Sequence, residues 1–347
     1  KALPTISASN LLTAIFDMEK NSLADRFIVP PYSVIDARKG SWKERKKVWQ
    51  SEIGTVANSR EESLYESLAM RMPDLYVSTY EHRRQLGISF KDYVQRYVDK
   101  EVLEKEMQKI PFYGVSCFDP VLAEVIYHWF TPVSNSKIFD CFAGDITKGY
   151  VATKCGHTFT GIELRSEQVE ENKVRCAELG VNARYVQDDG RNVVNHLGCA
   201  TQDLFITCPP YYDLEIYSDN ANDASARQTY REFLKVIDEA ITQSLISLKK
   251  NRFAVAIVSD IRDKAGAYSC FPEDIISVFR RRGCILWNDI IYLNNDSHAQ
   301  IRAAQYMNRR KVVRMHQRVL VFYNGRTSAI QKYFGKISNY DTRGNQE

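Results

Sequence analysis

A short segment, CPPY at residues 208 to 211, follows the apolar run DLFIT and combines a thiol, two prolines and an aromatic ring. Proline cannot donate to a sheet ladder, and it restricts the backbone of the residue before it. Pro209 and Pro210 therefore end a strand abruptly and hold nearby backbone carbonyls in a set direction. Tyr211 follows this rigid turn, where its ring can lie against a planar substrate. An exposed nucleobase stacks on such a ring with about 1–3 kcal/mol.

A second segment that could take part in chemistry is FAGDITKG, which contains Gly144 and Gly149. A glycine turn between a strand and a helix lets a ligand approach the backbone and directs helix N–H groups toward it. Glu163 closes the next apolar run, 19 residues beyond Gly144. At a spacing of about 20, such an acidic residue accepts hydrogen bonds from ribose hydroxyls in dinucleotide-binding folds. The two segments predict a nucleoside-containing ligand.

Two further carboxylates, Asp188 and Asp189, follow the run ARYVQ. Either one could reach the exocyclic amine of an adenine, or it could cap the helix that begins near RNVVNHL. The turn at Gly144 lacks the full GxGxxG spacing, which disfavours a nicotinamide cofactor. We expect an adenosine-bearing ligand with a shorter and differently charged tail.

The elements that must position these residues alternate between strand and helix. Helical patterns such as SEQVEENKVRCAEL and RQTYREFLKVIDEAITQSLISLKK separate apolar runs. The strand candidates are residues 137–144, 158–164, 183–187, 203–208, 253–259, 285–293 and 318–325. This order predicts an α/β domain with a mainly parallel, seven-stranded Rossmann-like sheet and helices on both faces. Ligands of such sheets bind at the carboxyl ends of the strands.

The first 110 residues have a different character, being charged and mostly helix-like. The segment FKDYVQRYVDKEVLEKEMQKI places its apolar residues on one helical stripe, before Pro111 and Gly114 break the pattern. We therefore predict an N-terminal helical region over 1–110 and the catalytic domain over 111–347. Between residues 42 and 49, two tryptophans and several basic residues suit either a nucleic-acid backbone or a helix with one buried face.

Composition agrees with a globular protein, with 44% hydrophobic and 26% charged residues. The eight cysteines are scattered, which predicts neither a zinc site nor disulfides. The absence of a secretion-like N-terminus or an apolar run long enough for a bilayer leads us to expect a cytoplasmic protein without membrane contact. Residues 297–318 contain no acidic residue, which predicts a basic surface for nucleic acid or a solvated basic loop. The basic residues assigned to DNA binding are Arg302, Arg309, Arg310, Lys311 and Arg314.

These motifs together resemble the S-adenosylmethionine-dependent DNA amino-methyltransferases. CPPY resembles the family signature [DNS]PP[YFW] at the end of the fourth strand, and DCFAG at 140–144 resembles the DPFxG cofactor turn. SCFDPVLAEVIYHWF at 116–130 is similar to the segment that touches the methionine end of the cofactor. With VPPYSVIDARKGSWKERKKVW at 29–49, VSDIRDK and HQRVLVFYNG, the chain looks like a methyltransferase of phages and prophages. The resemblance covers residues 26–50 and most of 115–325.

The resemblance implies S-adenosyl-L-methionine as cofactor and an extruded base of double-stranded DNA as substrate, without a metal. The cofactor-binding residues implied are Phe118, Asp119, Asp140, Phe142, Ala143, Gly144, Glu163 and Asp189. The catalytic residues implied are Cys208, Pro209, Pro210 and Tyr211. In the family, the first signature side chain and a carbonyl of the Pro-Pro turn accept hydrogen bonds from the target amine.

Cys208 departs from the family pattern, because a thiol is a weak acceptor compared with Asp, Asn or Ser. It could be the catalytic acceptor, a nucleophile or a small buried residue; no His or basic partner lies near it in sequence. The activity expected is methylation of adenine N6. Cytosine N4, an RNA substrate and a non-catalytic DNA-binding partner are alternatives, and either a monomer or a homodimer is compatible with the sequence.

Overall fold

The computed structural model describes residues 23–54, 73–103, 117–212, 224, 227, 229–263, 265–294 and 299–335. Its described strands form one sheet. They are β1 (Val34–Asp36), β2 (Lys137–Asp140), β3 (Thr158–Glu163), β4 (Ala183–Gln187), β5 (Gln202–Thr207), β6 (Leu248–Val258), β7 (Ile285–Leu293) and β8 (His316–Asn324). The strand order across the sheet is β1-β7-β8-β6-β5-β2-β3-β4.

All neighbouring strands are parallel except those that flank β8, which runs against both β6 and β7. The predicted α/β sheet, mainly parallel and covered on both faces, is confirmed. The prediction of seven strands is wrong by one. The additional strand, β1, pairs parallel to β7 at the sheet edge. It lies on the N-terminal side of the domain boundary predicted near residue 110, and that boundary itself stays a prediction.

The helices occupy both faces of the sheet and the N-terminal region. The described α-helices are α1 (Leu23–Phe27), α2 (Gly40–Ile53), α3 (Pro73–Ser78), α4 (Tyr80–Leu86), α5 (Phe90–Tyr97), α6 (Pro120–Phe130), α7 (Thr147–Lys154), α8 (Ser166–Glu178), α9 (Val193–Leu197), α10 (Tyr230–Ser247), α11 (Phe271–Arg281), α12 (Ala299–Met307) and α13 (Ile330–Phe334). None of the described helices is long and apolar enough to cross a membrane.

Two apolar cores follow from this layering. One contains buried residues of α2, α6 and α7 against one face of the sheet, and the other contains α10 and α11 against the opposite face. The alternation within β6 shows why, since Phe253 and Val255 belong to the first core and Ala254 and Ala256 to the second. A parallel strand buried on both faces reads as a continuous apolar run.

The tryptophans of α2 share a buried face, as one of the two sequence interpretations expected. Trp42 is buried, and its indole N–H donates to Asp119 of the loop before α6 at 3.3 Å. Trp49 donates to Glu124 of α6 at 2.8 Å, and Arg45 forms an ion pair with the same carboxylate. Helix α2 is therefore docked on α6 by both apolar and charged contacts.

The stripe predicted across residues 90–110 is only partly helical. Helix α5 begins with a capping box between Ser89 and Asp92 and ends at Tyr97, because Val98 takes an extended conformation. Residues 104–110 lie outside the described part of the chain.

Gly190 offers a test of this packing, because it lies against the turn that follows β2. A Cβ at Gly190 would overlap the carbonyl oxygen of Cys141, whereas a Cβ at Gly40 would meet no atom within 4 Å. We expect Gly190→Ala to lower the free energy of unfolding by about 1–3 kcal/mol. Gly40→Ala, the control at the start of α2, is expected to leave it unchanged or slightly raised. Urea denaturation of both variants measures this, and equal stabilities would contradict the packing described.

Candidate active site

A cavity of about 460 Å³ lies where the parallel strands end. Among the residues that line it are eleven of the twelve residues assigned to catalysis and cofactor binding from the sequence. They are Phe118, Asp119, Phe142, Ala143, Gly144, Glu163, Asp189, Cys208, Pro209, Pro210 and Tyr211. The fold thus places the CPPY turn and the glycine turn in one cavity, although 64 residues separate Gly144 from Cys208 in the chain.

The twelfth residue, Asp140, is fully buried at the end of β2 and does not line the cavity. One of its oxygens accepts the backbone N–H of Phe142 at 2.8 Å, and the other forms a short ion pair with Lys148. Lys148 itself lines the cavity. Burial is the largest influence and lowers the pKa of this ammonium, but the attraction and hydrogen bond to Asp140, together with the nearby Cys208 and Asp145, outweigh burial and raise the pKa of Lys148. Asp140 thus supports the cavity through Lys148.

Glu163, the last residue of β3, connects two turns. Its Oε2 accepts the N–H of Gly144 at 2.9 Å, and its Oε1 accepts the N–H of Arg165 at 3.0 Å. Asn172 of α8 donates to the carbonyl of Gly144 at 2.8 Å, so both polar groups of this glycine are bonded. Burial raises the pKa of Glu163. Because a carboxylate oxygen has two lone pairs, Glu163 retains capacity for a ligand hydroxyl.

The backbone at Gly144 is open to the cavity. Its φ is +61°, in the left-handed region, and a Cβ built there would meet nothing within 4 Å. A glycine in this conformation leaves room for a ligand against the peptide.

Of the two neighbouring aspartates, only Asp189 lines the cavity. It also caps the short 3₁₀ helix Gly190–Asn192, accepting the N–H of Arg191 at 2.9 Å, and it forms an ion pair with that arginine at 2.8 Å. Asp188 instead bonds His196 at 2.6 Å and Asn192 at 2.8 Å. The capping alternative thus holds for Asp189, which faces the cavity as well.

The CPPY turn directly follows β5. Pro209 is buried, while Cys208, Pro210 and Tyr211 are partly exposed. The hydroxyl of Tyr211 accepts the backbone N–H of Ser259 at 3.1 Å and the side-chain amide of Gln317 at 3.1 Å. These bonds fix the ring of Tyr211 at its outer end.

Tyr212 points elsewhere, because its ring packs against Tyr230 and Phe233 with centroids 5.7 and 5.6 Å away. Tyr212 thus packs on the second core and does not line the cavity. Cys208 has a basic neighbour that the sequence did not reveal, since the Lys148 ammonium lies within electrostatic range of its thiol.

The basic segment between β7 and β8 begins and ends at the cavity. Asn294, directly after β7, and Gln317, the second residue of β8, both line it, and their side chains are bonded at 3.2 Å. The five residues assigned to DNA binding do not line the cavity. Arg302, Arg309 and Arg310 are exposed.

The remaining basic residues of this segment are held by neighbours. Arg314 lies 3.7 Å from Asp260 and 4.7 Å from the ring of Tyr268. Lys311 lies against Gly266, and Arg318 pairs with Glu273 and Asp289. His316 lies 3.4 Å from Arg314, and burial together with the nearby arginines lowers its pKa.

Sequence reasoning missed several cavity residues. Lys148 stands within the quoted turn DITKG, but its pairing with Asp140 requires the fold. Gln317 stands within the quoted segment HQRVLVFYNG, but its bond to Tyr211 requires the fold. Ala37 and Lys46, which stand in the quoted segment 29–49 without an assigned role in cofactor binding, also line the cavity, as do Tyr292 and Asn294.

Among the described residues, one group has the spacing of metal ligands, namely Asp260, Cys270 and Glu273. Asp260 already accepts the N–H of Ile261 at 2.9 Å and lies beside Arg314, and Glu273 is paired with Arg318. The sequence expectation of no metal stays a prediction.

Comparison with known proteins gives structural similarities only. No protein-family model matches the chain, and neither does any curated protein. The chain is similar to TrmN from Thermus thermophilus, at 12% identity and a TM-score of 0.40, over 60% of this chain and 49% of that one. It is also similar to a candidate DNA modification methylase from the same species, at 19% identity and a TM-score of 0.31, over 40% and 51%.

A third similar structure is a SAM-dependent methyltransferase from Methanosarcina mazei, at 12% identity and a TM-score of 0.37. That match covers 55% of this chain and 92% of the other. By contrast, the chain spans about half the length of the two Thermus proteins.

The buried Glu163 predicts a specific pH dependence. A carboxyl group whose pKa is higher in the folded state than its ordinary value of 4.5 stabilises the fold most at low pH, and that contribution is lost as pH rises through the folded pKa. The stability of the wild-type protein minus that of Glu163→Gln should therefore fall as pH rises from about 4. Urea denaturation of both proteins between pH 4 and 8 measures the difference. A constant or rising difference would contradict the assigned environment.

Proposed function

We propose that this chain is an S-adenosylmethionine-dependent methyltransferase that modifies the N6 amine of an adenine extruded from double-stranded DNA. One observation carries the proposal: the CPPY turn lies in the same cavity as the Gly144 turn and Glu163. This arrangement brings acceptors for an amine and a binding site for a nucleoside within one cavity.

The residues of the cavity fit the cofactor. Its volume of about 460 Å³ lies in the range of small-molecule sites. Glu163 presents a buried carboxylate beside the open backbone of Gly144, as a ribose requires, and Phe118 and Phe142 add aromatic surface. Asp189 provides an acceptor at the end of β4 for an adenine amine.

When bound, S-adenosylmethionine supplies a methyl group attached to positively charged sulfur. The lone pair of the amine nitrogen is delocalised into the base, so the nitrogen is a poor nucleophile. The protein must therefore make this nitrogen more nucleophilic. Acceptors that take hydrogen bonds from both amine protons favour a tetrahedral nitrogen and free the lone pair. Acceptors fixed in the backbone need no reorganisation as charge develops, so they stabilise the transition state more than the bound base.

The rigid turn provides these acceptors. Its carbonyls are held by Pro209 and Pro210, and the Cys208 thiol is the weaker acceptor at the first signature position. The nitrogen that gains the methyl group loses one of its protons to a neighbouring acceptor or to water, and no covalent bond to the protein is required. We assign the main acceptor role to the backbone carbonyls.

Tyr211 would bind the base that is extruded from the duplex. Its hydroxyl is bonded to Ser259 and Gln317, and its ring packs edge-on against Phe271 with centroids 6.3 Å apart. A ring restrained in this way loses little freedom when a base stacks on it. Extrusion is needed because the amine is paired inside a duplex.

Double-stranded DNA is favoured as partner by the charged rim of the cavity. The basic segment lies between β7 and β8, and the residues at its two ends, Asn294 and Gln317, line the cavity. It contacts a second loop, in which the ring of Tyr268 lies 3.7 Å from the guanidinium of Arg262 and 4.7 Å from that of Arg314. Positive charge on adjoining loops suits the phosphates that flank an extruded nucleotide. Methylation of cytosine N4 and methylation of RNA are the alternatives, and identification of the methylated nucleoside distinguishes them.

Substitution of Tyr211 tests the catalytic assignment. Tyr211→Ala removes the stacking surface, worth about 1–3 kcal/mol, and should slow methyl transfer to DNA by about 10- to 100-fold. Tyr211→Phe keeps the ring and should retain most of the activity. Single-turnover transfer of labelled methyl groups measures the rate, and calorimetry with S-adenosylhomocysteine measures cofactor-site integrity.

Cofactor-site affinity should be the same in both Tyr211 variants. Full activity of Tyr211→Ala would count against the assignment. So would a parallel loss of S-adenosylhomocysteine binding, because it would give Tyr211 a structural role. A wild-type protein that transfers no methyl group would contradict the proposed function itself.

A further prediction concerns how the charges of Arg309 and Arg310 affect the affinity for DNA, not the rate of methyl transfer. The double variant Arg309→Gln and Arg310→Gln should make the slope of log affinity for duplex DNA against log salt less steep by about 2, because each phosphate contact releases about one counterion. The matched control replaces Arg326 and Lys332 with Gln. Both residues are exposed and follow the last residue of β8, at the end of the strands away from the cavity. Fluorescence anisotropy at several salt concentrations measures the slopes. Equal slopes in the rim and control variants would exclude phosphate contacts by Arg309 and Arg310.

A further inference from the structure

The N-terminal segment supplies part of the cavity wall. Strand β1 ends at Asp36, and the N–H of Ala37 is bonded to the carbonyl of Leu293 at 3.1 Å. Both Ala37 and Lys46 of α2 line the cavity. Because α2 is docked on α6 by its tryptophans, Lys46 is presented to the cavity from a rigid element.

Lys46 forms an ion pair inside this wall. Its Nζ lies 2.9 Å from Oδ2 of Asp119, and the side chains are 38% and 9% exposed. Asp119 has other donors as well, since it accepts the N–H of Val121 at 2.9 Å and the indole N–H of Trp42 at 3.3 Å. The aspartate thus stays hydrogen-bonded if Lys46 turns toward another anion, and the more exposed lysine can move at low cost.

The pair lies beside the glycine turn. Cys117, two residues before Asp119, lies near Asp145 of that turn and near Lys46. Glu163 and Asp189, at the ends of β3 and β4, mark the side of the cavity where the proposed function places adenosine. Strands β3 and β4 both lie on one side of β2. The amino-acid end of the cofactor must then extend toward α6 and α2.

Two other cations line the cavity, and both are engaged elsewhere. Lys148 is only 3% exposed and is paired with the buried Asp140. Arg165 lies 3.8 Å from Glu163 and donates to Gln168 at 2.7 Å. Lys46 is therefore the cation best placed for a carboxylate on the α6 side.

We propose that Lys46 of α2 is a further residue of the cofactor site, where it binds the carboxylate of the amino-acid end of the cofactor. Asp119, which the resemblance already assigns to the cofactor, lies beside Lys46 and can bind the ammonium of the same end. The inference rests on the proposed function. An α-amino acid carries both charges close together, so it replaces one internal ion pair by two intermolecular ones, each a charge-assisted hydrogen bond. Helix α2 thereby becomes part of the cofactor site.

The test uses two ligands that differ in this end. S-adenosylhomocysteine has the carboxylate and the ammonium, whereas 5′-methylthioadenosine lacks both. Calorimetry of Lys46→Ala should show affinity for S-adenosylhomocysteine reduced by about tenfold, as for loss of a charged hydrogen bond, and unchanged affinity for 5′-methylthioadenosine. Lys46→Arg should retain most of the affinity. Lys47→Ala, exposed on the same helix and outside the cavity, is the control and should bind both ligands normally.

Each outcome is decisive. An equal loss of affinity for both ligands in Lys46→Ala would mean that Lys46 has only a structural role. Unchanged affinity for both ligands would exclude Lys46 from the subsite. Both results leave the proposed function intact, because the wild-type protein still binds S-adenosylhomocysteine. A wild-type protein that binds neither ligand would overturn the proposed function and the subsite together.

Discussion

Parallel strand pairing places the candidate site residues of this protein in one location. Because β2, β3, β5 and β6 run in the same direction, their carboxyl ends meet at one edge of the sheet. Glu163, the Gly144 turn and the CPPY turn follow these ends, although they are far apart in the chain. Strand β8 runs in the opposite direction, so its first residues reach the same edge, and with them the basic segment. The cavity exists because of this geometry.

Buried charges hold the turns at that edge. Asp140 is bonded to Lys148 and to the N–H of Phe142, and Glu163 is bonded to the N–H of Gly144. Burying a carboxylate is costly unless such partners replace the lost hydration. The chain retains these costly groups beside the cavity, where they fix the backbone that a cofactor would contact. Rigidity before binding reduces the ordering that the ligand must impose.

The sequence predicted most of the sheet because buried strands leave apolar runs of recognisable length. Strands β4 and β7 were predicted to the residue. Strand β1 was missed because its three residues, preceded by two prolines, carry no periodic signal and depend on pairing with β7. The helical stripe from Phe90 continued in the sequence beyond Tyr97, yet local backbone geometry ended the helix there.

The sequence predicted the turns of the candidate site, which depend on local backbone chemistry. It did not predict the contacts between segments that are distant in the chain. Prolines and glycines marked the turns after β5 and β2, because each acts on its own backbone. The Lys148–Asp140 pair, the tethering of Tyr211 by Gln317 and the approach of Lys46 to Asp119 join distant segments. No spacing in one sequence reveals such contacts. Asp188 and Asp189 were likewise equivalent in the sequence, and only the orientation after β4 separates them.

The most direct measurement of the central claim is mass spectrometry of nucleosides from duplex DNA incubated with the purified protein and S-adenosylmethionine. We expect N6-methyladenine that depends on the protein and decreases in Tyr211→Ala. Methylation only in RNA, or no methylated nucleoside from a protein that binds the cofactor, would contradict it.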